Sequence, residues 1–165
     1  MKKYEFTGET KEIKLLFRTA VLHRIRATVS FGFVKIGDLG GWIEKEENLS
    51  HEGKAWVCGD AEVWGNAEVW GNAKVCGDAE VFSASHVLVI GAIGSRNDFT
   101  TFYRDKDNEI TVKCGCFLGK IDRFLEKVTQ THGDSKYALV YRAAVEVAKL
   151  QIDLSGEAPK DADEE

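Results

Sequence analysis

Residues 57–81 read VCGDAEVWGNAEVWGNAKVCGDAEV, a line that repeats itself every six positions. Val57, Val63, Val69, Val75 and Val81 mark the period. Gly59, Gly65, Gly71 and Gly77 each follow a valine by two residues and are each succeeded by Asp or Asn. Ala61, Ala67, Ala73 and Ala79 stand two places before the next valine. A short fixed period predicts stacked, near-identical units. In an extended A-x-V segment alternate side chains share one face, so Ala and Val point inward and their neighbours outward. Gly with Asn or Asp supplies the corner, because these residues accept positive φ at little cost. Three such segments would close a triangular coil of 18 residues, stacking Trp56 on Lys74, Cys58 on Cys76, Glu62 on Glu80 and Trp64 on Phe82. The third face would stack Glu68 on His86 and Trp70 on Leu88.

The register extends to Val87 and Ile93, with Ser85 and Gly91 in the alanine positions, while upstream Ala55 fits and His51 stands where valine belongs. The pattern resembles the hexapeptide repeat of left-handed parallel β-helices, the fold of many bacterial acyltransferases, and the handedness comes from that resemblance alone. The expected fold is mainly β with a small α+β C-terminal part: a short left-handed parallel β-helix, capped by an N-terminal β segment and followed by a β-hairpin and two helices. The expected divisions are an N-terminal β cap over 1–50, the repeat over 51–98, a hairpin and two-helix module over 99–152, and an acidic disordered tail over 153–165.

The flanks are read from local pattern. Residues 3–7 alternate as a strand, 7–14 read as a turn with Gly8 and several charges, and 15–30 hold one or two further strands. The glycines of GDLGG, residues 37–41, suggest a tight turn. Residues 98–104 and 109–114 predict a hairpin about a polar turn. Leu118, Ile121, Phe124, Leu125 and Val128 have helical spacing ended by Gly133; Tyr137, Tyr141, Ala144, Ala148 and Ile152 share the face of a second helix.

Charge bounds the function. The net charge of −5 arises wholly in the last thirteen residues, leaving residues 1–152 neutral. Nothing there is basic enough to argue for nucleic acid. There is no apolar run of membrane-spanning length and no secretory signal, so a cytoplasmic protein with no membrane partner is expected. Cys58, Cys76, Cys114 and Cys116 should then be thiols. Cys114 and Cys116 lack the second ligand pair of a structural zinc site, so no metal and no cofactor are expected.

A closer resemblance is carried by LHRIRA, by GDLGGWIEKEENLS and by the V-x-G-[ND]-A-x units, over roughly residues 1–93. It is to phage and prophage proteins labelled hexapeptide-repeat transferases. The C-terminal block, with its GCF and THG, resembles a module attached to various repeat domains in phage and gut-bacterial proteins. The resemblance implies a non-enzymatic phage-type interaction protein, acting in the cytoplasm of a bacterial host on a host protein such as an antiviral defence factor. Trp56, Glu62, Trp64, Glu68, Trp70 and Phe82 are the candidate binding residues on the repeat, and a homo-oligomer, dimer or trimer, is expected. The alternative is an acyltransferase using acetyl-CoA, with His86 as candidate base. A second alternative is a sponge for a small nucleotide, for which Arg96, Arg104 and Trp64 are the residues to examine. Cys116 and His132 could form a thiolate–imidazole pair, but the sequence identifies no group to orient it.

Overall fold

The structure, a computed structural model, describes residues 1–156. The expected acidic tail from 157 onward lies outside the described residues. Asp153 and Leu154 are held: the Asp153 N–H donates to the Ser85 carbonyl (3.1 Å) and Asn108 Nδ2 to the Leu154 carbonyl (2.8 Å).

Among the described residues eleven strands and two α-helices follow in order: β1 (Tyr4–Lys14), β2 (Thr19–Ala27), β3 (Leu39–Ile43), β4 (Trp56–Val57), β5 (Glu62–Val63), β6 (Lys74–Val75), β7 (Glu80–Val81), β8 (Val87–Ile93), β9 (Asp98–Arg104), β10 (Ile110–Cys114), β11 (Phe117–Lys120), α1 (Ile121–His132) and α2 (Lys136–Gln151). They form sheets ordered β1-β2-β3-β5-β7, β11-β10-β9-β8 and β4-β6. Among the described residues none of them closes on itself, and the long strands pair antiparallel. The expected left-handed parallel β-helix is therefore corrected: this is a mainly β protein of open sheets with two C-terminal helices.

The repeat explains the departure. Its corners leave two residues per strand, so its parallel pairs are short. Trp56 and Val57 pair with Lys74 and Val75, and Glu62 and Val63 with Glu80 and Val81, at the 18-residue separation. The third series stops at one bridge, Leu49 to Val69. After His86 the apolar run VLVI is better satisfied by a long strand, and β8 pairs antiparallel with β9 instead of continuing the period. The inward positions behave as the pattern requires, with Ala61, Val63, Ala67, Val69, Ala73, Val75, Ala79 and Val81 all buried in one core. Gly65 shows what the corner demands: its φ is +62°, and a Cβ there would stand 2.9 Å from the Phe82 carbonyl oxygen.

Two elements differ from the expected flanks. Residues 7–14 are not a turn but continue β1, with a register shift between Phe6 and Thr10. Gly40 and Gly41 lie inside β3, where a Cβ would meet Ile25, Trp56, Val57 and Ala61 at 2.6–2.8 Å. Their role is close approach of the strand to the core. Lys3 Nζ donates to the Ala55 carbonyl (2.6 Å) and the Tyr4 hydroxyl to that of Leu49 (2.7 Å), which fastens the N-terminal hairpin over the repeat.

The C-terminal module has its own core, in which Phe102 and Val112 of the sheet meet Ile121, Phe124, Val128, Tyr141, Val145 and Ala148 of the helices. Leu118 belongs to β11, a strand absent from the sequence reading. Gly115 and Cys116 make the two-residue turn between β10 and β11, with Gly115 at φ +57°, the residue such a turn favours at its first central position.

Trp64 packs with Trp42, Leu22, Ile13 and Ala20 beneath the N-terminal hairpin and stacks on Phe82 at 4.6 Å. Truncating a buried tryptophan removes about 3–5 kcal/mol. Trp64→Ala is expected to lower stability by that order in urea unfolding, whereas Trp70→Ala, on an exposed side chain, should change it by less than about 0.5 kcal/mol.

Candidate interaction groove

Each parallel series of the repeat ends in an edge whose backbone N–H and C=O groups need partners. The edge at β6 is capped by side chains of β9. The Lys74 N–H donates to Thr101 Oγ1 (3.0 Å) and the Cys76 N–H to the Tyr103 hydroxyl (3.2 Å), which in turn donates to the Cys76 carbonyl (2.8 Å). Beside this cap Cys58 and Cys76 stand in register, Cα atoms 4.5 Å apart, joined as a disulfide rather than as the two thiols expected.

The edge at β7 is capped as fully. Arg104 Nη1 donates to the Glu80 carbonyl (2.9 Å), the Lys106 N–H to that of Asp78 (2.9 Å), and the Phe82 N–H to His86 Nδ1 (3.2 Å). Arg104 is wholly buried, with its guanidinium 5.1 Å over the Phe82 ring and Nε bonded to Asn108. His86 is 3% exposed. It serves here as an acceptor for a backbone N–H and is not presented to solvent as the base of a transferase would be.

The third edge is open. Across residues 68–70 the Val69 N–H and C=O turn toward Asn48 and Ser50 (2.9 Å each). By the alternation of extended backbone, the Glu68 and Trp70 N–H groups turn the other way. Neither finds an acceptor among the described residues. Opposite them β8 is the outer strand of its own sheet. Between the two edges runs a groove of about 610 Å³, lined by Glu68 and Trp70 on one side and by Leu88, Val89 and Phe99 on the other. Gly91 lets Phe99 lie over β8, since a Cβ there would fall 2.3 Å from the ring. Trp70 is 70% exposed, alone among the four tryptophans.

The other expected site residues separate from this groove. Trp56 and Trp64 are core, Phe82 is half-buried beneath the hairpin, and Glu62 is ion-paired with Lys11 (2.6 Å). Arg96, Arg104 and Trp64 do not meet: Arg96 alone is exposed, on a different pocket. That pocket, of about 210 Å³, does bring Cys116 and His132 together with Asp98 and Tyr141. No hydrogen bond joins the thiol to the imidazole or orients the imidazole among the described residues, so it has no triad geometry. Among the described residues no group of three His, Cys, Asp or Glu is placed to hold a metal ion, and no helix is long and apolar enough to cross a membrane.

No protein-family model matches the chain, and a search of curated proteins finds no match.

Burial first, then the charge of Arg104, holds the His86 imidazole below its ordinary pKa, with Asp153 opposing; burial lowers His51 likewise. The unfolded chain takes up these protons near about pH 6.5 and the folded chain only at lower pH, so this stability is full above that value and is lost as pH falls below it. Urea midpoints are expected to drop between about pH 7.5 and pH 5.5, and to drop less in His86→Gln. An equal drop in both proteins would assign the effect elsewhere.

Proposed function

We propose that this chain is a non-enzymatic interaction protein that captures an extended segment of a partner protein in the groove beside Trp70. The observation that supports this reading is the pair of open β edges facing one another across an apolar gap. An added strand gains main-chain hydrogen bonds along an edge, and its alternate side chains find pockets that set specificity. Here the Glu68 and Trp70 N–H groups offer the hydrogen bonds, while Trp70, Leu88 and Phe99 offer apolar contact. Glu68 is exposed and its carboxylate has no cation beside it among the described residues, so a lysine or arginine in the segment fits the charge. The resemblance to phage proteins makes a host defence factor in the bacterial cytoplasm the expected owner of that segment. The expected homo-oligomer belongs to the same proposal, with Leu139, Val147 and Leu150 of α2 exposed for self-association.

A displayed library of random decapeptides, selected on the purified protein, tests the capture. Selected peptides should carry alternating apolar residues and a basic residue. Their binding should weaken roughly tenfold or more in Trp70→Ser, as for a central aromatic anchor. N-methylation of the peptide backbone should abolish binding at alternate positions and be tolerated between them. Peptides that bind Trp70→Ser as well as wild type, or that tolerate N-methylation at every position, would overturn the reading.

A further inference from the structure

Beyond Phe99 the groove meets a second cleft, of about 450 Å³, whose chemistry is different. Its outer lip is a tight loop in which Phe31 and Val34 exchange backbone hydrogen bonds (2.9 and 2.8 Å). This leaves Phe33 at the tip, 83% exposed. The aliphatic stem of Lys54 runs along Gly32 of the same loop, 3.7 Å from where a Cβ would be. Lys74 projects from β6 with Nζ 4.4 Å over the Phe33 ring, its backbone N–H fixed by Thr101. Lys113 enters from β10, opposite Thr101 in the strand register, and its ammonium donates to the Gly115 carbonyl.

Three lysines from three separate elements therefore line one cleft. Among the described residues Asp98 is the one carboxylate lining it, and that carboxylate already accepts the Phe99 N–H (2.7 Å). Burial lowers the Lys74 ammonium, Asp98 opposes this, and the charges of Lys113 and Lys54 lower it further. An excess of positive charge held in one concavity is relieved by an anion with more than one negative charge. Asn72, Asn97 and Thr101 add neutral hydrogen-bonding groups to the wall. The volume falls within the range of small-molecule pockets and exceeds what a bare phosphate fills. An exposed phenylalanine beside lysines is the pairing that serves a ligand with a planar ring at one end and a phosphate at the other.

We propose that this cleft binds a nucleoside phosphate, the phosphate among Lys54, Lys74 and Lys113 and the base against Phe33. Lysines suit the phosphate as compact point charges with several donors each, and the stacking of a base on an aromatic face tolerates different bases. The site does not rest on strand capture: it shares Asn72 and Phe99 with that groove but uses neither Trp70 nor the open backbone of residues 68–70.

The test is titration calorimetry with adenosine 5′-monophosphate, guanosine 5′-monophosphate, adenosine, inorganic phosphate and an oligothymidylate, on wild type and on Phe33→Ser, Lys74→Gln and Trp70→Ser. Both monophosphates should bind, adenosine and inorganic phosphate each more weakly. Lys74→Gln and Phe33→Ser should each weaken the monophosphates roughly tenfold, the loss of one charged hydrogen bond or one stacked ring. Trp70→Ser should bind them as wild type does. Unfolding midpoints of the free variants check that each still folds, and Phe33, exposed at a loop tip, is the position where substitution leaves the core untouched. No heat with either monophosphate up to millimolar concentration would overturn the proposal. So would inorganic phosphate binding as tightly as the monophosphates, or monophosphate binding unchanged in both cleft variants. Binding of the oligothymidylate without the monophosphates would also overturn it, and would mark a polymer surface instead.

Discussion

Every short strand of the repeat ends at an edge, and a backbone edge buried against the rest of the chain must have its hydrogen bonds met. Two-residue strands are too short to hold themselves together, so their stability depends on what closes them. At β6 the closure comes from Thr101 and Tyr103, and at β7 from Arg104, Lys106 and His86. This single requirement accounts for three residues that would otherwise be puzzling in a core: a buried arginine, a buried histidine and a tyrosine that both accepts and donates at one residue. It also accounts for Thr101 and Tyr103 of β9 turning to the repeat while Phe102 between them turns to the helices.

The same requirement sorts the aromatic residues. Where an edge is capped or covered, the outward tryptophan becomes core: Trp56 beneath the N-terminal segment, Trp64 beneath the β1–β2 hairpin. Where it is not, Trp70 stays in water with two backbone donors beside it. The proposed capture groove is the place at which the chain's own coverage stops, and a partner's strand would complete what β9, Lys106 and His86 complete at the other two edges.

The lysine cleft adjoins that groove through Asn72 and Phe99, which line both. A neutral folded body can still hold a concentrated positive site, because opposite charges are placed elsewhere: Lys11 on Glu62, Lys2 on Glu46, Lys120 on Asp107 and Glu109. Average charge reads the sum of these, and local geometry decides what any one region presents.

The amino-acid sequence by itself determined the inward set of alanines and valines, the glycine corners, the 18-residue pairing of β4 with β6 and β5 with β7, the β9–β10 hairpin and the two C-terminal helices. These follow from period, side-chain volume and backbone freedom, all local properties. It did not determine where the repeat ends. Val87 keeps the period, yet a run of four apolar residues has a competing solution as a long antiparallel strand, and only the presence of β9 makes that solution available. Nor could it separate Trp70 from Trp64, which shares its place in the repeat, or from Trp56, which the alternation also turns outward; what packs over them sets them apart. His86 had the pattern of an outward residue and proved to be a backbone acceptor. Lys54, Lys74 and Lys113 carry no common motif, being set together by strand pairing and one loop. Burial and convergence of distant residues are properties of tertiary structure, because they depend on which elements meet and not on the order in which residues occur.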